Sequence, residues 1–196
     1  MMEILKEIDI FITGLLNNIG LFGPILAGVL IVVESIIPIL PLSVFITLNF
    51  YYFGSLMGFI ISWLLTSLGC YLSFYIFRKK MKLKFDTKFI INKQNKISKW
   101  MIIINRLKLE QLVLVMAIPF TPAFMVNIVA GLSSMKTKKY ILAILISKIF
   151  LVYFWGFIGI TLLESFTNPI KIVQVILISS LGFIISKIVN KRYNIE

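Results

Sequence analysis

Long apolar runs separated by short charged segments set the pattern of the chain. A straight helix needs ~20 residues to cross ~30 Å of hydrocarbon. Tyr51 to Phe77 is a run of 27 uncharged residues. Tyr140 to Leu163 is broken only by Lys148, and Pro169 to Val189 carries Lys171 and Lys187 near its ends, where their stems can reach the interface. This spacing predicts transmembrane helices at 51–77, 140–163 and 169–189.

Two further apolar stretches depart from that template. Residues 19–50 are interrupted by Glu34, Pro38 and Pro41, which makes them long for one span and short for two spans and a turn. Residues 109–135 are interrupted by Pro119 and Pro122. Both carry Ile-Pro-x-x-Pro, at Ile37, Pro38 and Pro41 and again at Ile118, Pro119 and Pro122, an internal repeat with an offset of 81 residues. Two prolines three apart remove backbone donors and clash with the preceding turn, so each pair breaks its helix. Such breaks persist at membrane depth only where protein or a water-filled cavity solvates the freed backbone groups. Paired, proline-interrupted segments in two halves are a mark of transporter inverted repeats.

Charge placement turns these stretches into hairpins. Of 20 basic residues, 19 lie after residue 77, and nine of them fall between Arg78 and Lys99 against the single acid Asp86. If residues 109–135 enter and leave by the same face, that loop, the Lys136–Lys138–Lys139 cluster and the Lys191–Arg192 end all share one side, as the positive-inside rule requires. The expected fold is therefore an all-α integral membrane protein forming one membrane domain. It has two oppositely inserted repeats, each with a Pro-broken re-entrant hairpin (19–50 and 109–135) and a transmembrane helix, plus a C-terminal transmembrane helix. Residues 1–18 read as an amphipathic interfacial helix, and 78–108 as a basic cytoplasmic surface segment with Trp100 at the interface.

Composition agrees with this class: 59% of residues are hydrophobic and 14% charged, with a mean hydropathy of +0.99. The net charge of +12 flanks apolar runs, which points to membrane orientation and away from nucleic acid. One cysteine and no histidine exclude disulfide frameworks, imidazole metal sites and histidine-dependent catalysis. Neither an enzyme activity nor a metal or cofactor is expected.

Candidate chemistry gathers near the breaks. Glu34 sits in an apolar stretch where a charged carboxylate costs ~2.5–3.5 kcal/mol to insert, so a cavity, a partner or a proton-carrying role is implied; a neutral carboxyl capping broken-helix amides is the alternative. Lys148 lies ~12 Å into its span at 1.5 Å per residue. It either snorkels to the interface or supplies a cation to Glu34 or to a lipid phosphate. Ser43, Thr47, Thr121 and Asn127 are small polar groups that can satisfy broken backbone or present donors to a phosphate. Arg106 and Lys108 form a candidate cytoplasmic phosphate-docking pair. Gly54, Gly58 and Gly69 read as close-packing positions between helices.

Pro119-x-x-Pro122 with Asn127 and Gly131 resembles the second signature of the SNARE-associated Golgi protein group, the VTT or DedA superfamily. Glu34-x-x-x-Pro38-x-x-Pro41, followed by Phe53-Gly54, Gly58, Gly69 and Arg78, is similar to its first-half elements. The resemblance covers roughly residues 20–165. It implies two oppositely inserted re-entrant hairpins meeting near mid-membrane in a lipid scramblase or flippase of a bacterial cytoplasmic membrane. Phospholipid or undecaprenyl phosphate would be its substrate, with basic loops cytoplasmic. Three positions depart from the pattern: Met116 and Pro122 stand where arginines are usual, and Ser43 where an acid is. These losses favour a looser scramblase or a different head group.

The expected function is thus a membrane lipid transporter, with Glu34 as proton-coupling acid and Pro38, Pro41, Ser43, Pro119, Thr121, Pro122, Asn127 and Lys148 along the substrate path. Its expected partners are membrane lipids with anionic or phosphate-bearing head groups, and a homo-oligomer is left open. The alternatives are a proton-coupled transporter of a small soluble solute and a non-transporting scaffold.

Overall fold

A computed structural model describes residues 22–37, 41–81, 96–120 and 123–193. The 1–18 interfacial helix, Pro38, Thr121 and Pro122 lie outside the described residues, as does most of the 78–95 basic loop. Every element among the described residues is helical: α1 (Phe22–Ile36), α2 (Leu42–Ile76), a π-helical turn (Phe77–Met81), α3 (Lys96–Arg106), α4 (Leu109–Ala117), α5 (Ala123–Leu132), α6 (Thr137–Glu164) and α7 (Ile170–Tyr193). Three helices, Leu42–Lys79, Thr137–Glu164 and Ile170–Tyr193, are long and apolar enough to cross a membrane. Each overlaps one of the runs read from the sequence, the first beginning nine residues earlier, at Leu42.

The longest of these is not one rod. Gly54 has φ 74° and ψ 170°, outside the helical region, and splits α2 into residues 42–53 and 55–76. In a straight helix Asn49 and Ser62 would stand ~20 Å apart at 1.5 Å per residue. Instead Asn49 Nδ2 donates a 3.0 Å hydrogen bond to Ser62 Oγ, so the chain folds back at Gly54. Gly58 permits the return: a Cβ there would stand 2.5 Å from the Asn49 carbonyl oxygen. The expectation that Gly54 serves close packing is therefore corrected. Nothing lies within 4 Å of where its Cβ would be, and its role is the positive φ that a side chain disfavours. The part of α2 after Gly54, residues 55–76, has 22 residues or ~33 Å of helix, long enough by itself to cross.

The first arm, residues 42–53, packs on α1 through Phe45 against Ala27 and Ile31, with Leu42 and Leu65 alongside. The first helix ends at Ile36 and the second begins at Leu42 with Pro41 as its N-cap. At the second proline pair, α4 and α5 are divided at Ile118, Pro119 and Phe120. At 9 and 10 residues these helices are only ~14 and ~15 Å long. The chain just before α4 lies beside the chain just after α5: Asn105 Nδ2 of α3 donates to Ser134 Oγ at 3.0 Å, and Lys139 Nζ of α6 donates to the Leu107 carbonyl.

Helices in lipid gain little from burying apolar area against one another, so close approach and internal hydrogen bonds carry the packing. Along α6, Gly156 accepts the Phe50 ring and Gly159 accepts Thr47. Gly131 brings α5 against the end of α2, where a Cβ would stand 2.7 Å from the Phe74 carbonyl oxygen. Arg78 completes this junction. Its Nε donates to Gly131 O at 2.9 Å, and its Nη2 to Ala130 O, Ser133 O and Met135 O at 2.9, 3.0 and 2.9 Å. A helix leaves its last four carbonyls without partners and carries partial negative charge there, and a guanidinium answers both. The same group lies 4.5 Å above the Phe74 ring.

Candidate functional site

Both breaks open onto one cavity of about 360 Å³. Glu34 and Ser35 reach it from the last turn of α1, and Pro41, Leu42 and Ser43 from the start of α2. Cys70 comes from the crossing arm of α2, Phe120 from the second break, Phe124 and Asn127 from α5, and Lys148, Leu151 and Trp155 from α6. The sequence reading had Glu34, Pro41, Ser43, Asn127 and Lys148 together on the substrate path, and the structure brings those five to one space. Pro119 is buried beside it, against Gly182 of α7. Arg106 and Lys108 do not line the cavity; both are exposed, and the Lys108 N–H is bound to Gln111 Oε1 at 2.8 Å as α4 begins.

Lys148 decides the character of the site. Only 2% of its surface is exposed, so it does not snorkel along the outside of α6. Among the described residues no hydrogen-bond acceptor holds its ammonium, and the one ion pair within 4.0 Å joins Lys171 to Glu164. Glu34 lines the same cavity, and no ion pair within 4.0 Å joins the two. A buried lysine and a partly buried carboxylate therefore face a common space without closing on each other.

Asn127 ties the two halves at this point. Its Nδ2 donates to the Ser35 carbonyl at 3.4 Å, serving one of the carbonyls that the end of α1 leaves without a helical partner. Its Oδ1 accepts a 2.7 Å hydrogen bond from the Tyr140 hydroxyl, which also donates to Cys70 O at 3.2 Å. The Tyr140 ring stacks on Phe74 with centroids 4.1 Å apart, and Phe74 carries Arg78 on its other side of the junction. Tyr140→Phe keeps the stack and deletes the hydroxyl, leaving the buried Asn127 Oδ1 without its partner. We expect a loss of ~1–3 kcal/mol, read as a lower thermal unfolding midpoint in detergent.

Several lining residues were not singled out from the sequence. Leu151 and Trp155 follow Lys148 at i+3 and i+7, so the helical period places them on its face. Phe120 is held with φ 66° by edge-on contacts to Phe154, Trp155 and Phe183, at 6.5, 5.4 and 6.0 Å. Met116, one of the residues where the resemblance leads one to expect arginine, is 1% exposed in the apolar core with Leu112, Val126 and Ile144, and is not on the cavity.

Three helices long and apolar enough to cross a membrane, with Glu34 and Lys148 on one cavity among the described residues, describe an integral membrane protein and are consistent with a membrane transporter in general. The chain belongs to the VTT domain family, whose domain matches residues 40–161. It is 33% identical over 185 residues to the "Uncharacterized membrane protein YhjE" of Bacillus subtilis (strain 168), an alignment covering 94% of this chain and 88% of that protein. No solved structure matches it. The family resemblance drawn from the proline signatures is thereby borne out. Glu34 precedes the matched domain, whereas Asn127 and Lys148 lie inside it.

Proposed function

We propose that this protein moves phosphate-bearing lipid head groups across a bacterial cytoplasmic membrane through the cavity between its two helix breaks, the acyl tails remaining in the bilayer. The observation that carries the reading is the pairing of Glu34 with buried Lys148 in one cavity inside an apolar bundle. Two charges that each cost ~2.5–3.5 kcal/mol to insert are kept where a polar group has to pass. Exposed Pro41 and Phe120 on the lining give the cavity a way to the lipid-facing surface, which suits a lipid better than an enclosed solute. The test is reconstitution into vesicles with fluorescent phospholipid and fluorescent polyprenyl phosphate. The parent protein should accelerate bilayer crossing of at least one of them. Vesicles that instead take up only a soluble solute with a proton would give the site to the proton-coupled reading, and neither activity would leave a scaffold.

In this reading the broken helix pairs are re-entrant hairpins inserted from opposite faces, with the basic clusters cytoplasmic. The short lengths of α4 and α5, and the hydrogen bonds that bring the chain before α4 (Asn105, Leu107) to the chain after α5 (Ser134, Lys139), support it. Cysteines placed at Lys108 and Lys138 should react from the cytoplasmic face, and one at Thr167 from the opposite face. Labelling of the first two from opposite faces would replace the hairpin by a kinked span.

A further inference from the structure

The charges of the cavity add up to a preference. Lys148 is 2% exposed and has no hydrogen-bond acceptor among the described residues, yet it borders the cavity. Glu34 borders the same cavity, and the two are more than 4.0 Å apart. Had they closed into an ion pair, they would neutralise each other and leave nothing to recognise. Held apart across about 360 Å³, they present opposite poles to whatever enters. Asn127 and Ser43 add short polar groups between apolar walls of Leu42, Phe124 and Leu151.

A purely anionic group gains from Lys148 and is repelled by Glu34. A cation meets the reverse, and an uncharged polar group engages neither pole. A molecule with an anionic group and an ammonium a few ångströms apart satisfies both at once, and its own net charge of zero matches that of the cavity. We propose that this site selects a zwitterionic head group, its phosphate against Lys148 and its ammonium against Glu34. The inference rests on the lipid-transport reading and narrows its substrate class. The same chemistry is carried by a free amino acid, and the experiment separates the two sources.

Parent protein in vesicles is assayed with tail-labelled phosphatidylethanolamine, its N-acetyl derivative and phosphatidylglycerol. N-acetylation keeps the phosphate and removes only the ammonium charge, so this comparison needs no protein variant. Phosphatidylethanolamine should cross about tenfold faster than the other two, since one charged hydrogen-bonded contact is worth about that factor. Glu34→Gln leaves the cavity positive and should erase this ratio or invert it. Lys148→Met leaves it negative, should slow all three, and should slow phosphatidylglycerol most. Lys148→Arg, with the cation restored, should keep the parent ratio. Equal parent rates for the three lipids, or a ratio shifted the same way by Glu34→Gln and Lys148→Met, would overturn the zwitterion site while leaving lipid transport standing. If the parent moves no lipid, the transport reading fails instead. Uptake of radiolabelled glycine into the same vesicles, lost in both variants, would then keep the charge pair as a site for a soluble zwitterion, and no glycine uptake would remove it.

Discussion

Glu34→Gln lowers the crossing rate of phosphatidylethanolamine at least tenfold in vesicles, while membrane insertion and thermal stability stay close to those of the parent. Glutamine keeps the length of glutamate and most of its hydrogen-bonding capacity and loses the charge. The carboxylate costs ~2.5–3.5 kcal/mol to hold within the bilayer, so deleting the charge without functional loss would stabilise the protein. Glu34 lines the cavity at the last turn of α1, next to the Ser35 carbonyl that Asn127 holds, and the backbone there does not depend on its side chain among the described contacts. Transport and stability are therefore expected to separate. A variant with parental rates and a lowered unfolding midpoint would assign the carboxylate to the fold.

The second large effect is on assembly. Gly58→Ala prevents the fold-back at Gly54, because the added Cβ meets the Asn49 carbonyl oxygen at 2.5 Å and Phe50 Cα at 2.6 Å. These are backbone atoms of the facing arm, and no rotamer change relieves them. Residues 42–53 would have to move off the crossing arm, breaking the Asn49–Ser62 hydrogen bond and displacing Phe50 from Gly156. The expected cost is ~3 kcal/mol or more, in the range of overpacking plus a lost buried hydrogen bond, and is read as poor recovery of monodisperse protein after detergent extraction. Gly54→Ala has open space around it and meets only the penalty of an extended positive-φ backbone that is essentially restricted to glycine, about 1–3 kcal/mol. A Gly58→Ala protein as stable as Gly54→Ala would contradict the fold-back.

What the sequence disclosed followed from simple physical limits. Proline cannot continue a helix, so the breaks after Ile37 and at Ile118 were visible, and uncharged length marked the three spans. Lys148 was conspicuous as a charge in an apolar run, but its orientation required the packing of α6. The turn at Gly54 was hidden because a glycine in an apolar stretch serves close packing as readily as positive φ, and both uses leave the same letter. Arg78 was hidden differently. It heads a cluster of nine basic residues whose collective reading is membrane orientation, and only the end of α5, 52 residues later in sequence at Ala130, reveals it as a helix cap. Tyr140 likewise reads as the aromatic start of a span until its hydroxyl is found on Asn127.

The aromatic contacts of Phe120 bind the second break to a helix beyond the matched domain. Phe183 meets the Phe120 ring, and Gly182 lets α7 come within reach of Pro119 and Phe154. A left-handed non-glycine residue persists only where its surroundings impose it, and part of that imposition here comes from residues past 161. The C-terminal helix is in this sense a clamp on the cavity wall. Shortening the chain to the boundaries of its family domain would keep Lys148 but remove Glu34 with α1 and Phe183 with α7, so a minimal version of this protein would lose one of the two charges of the site and part of the support of its wall.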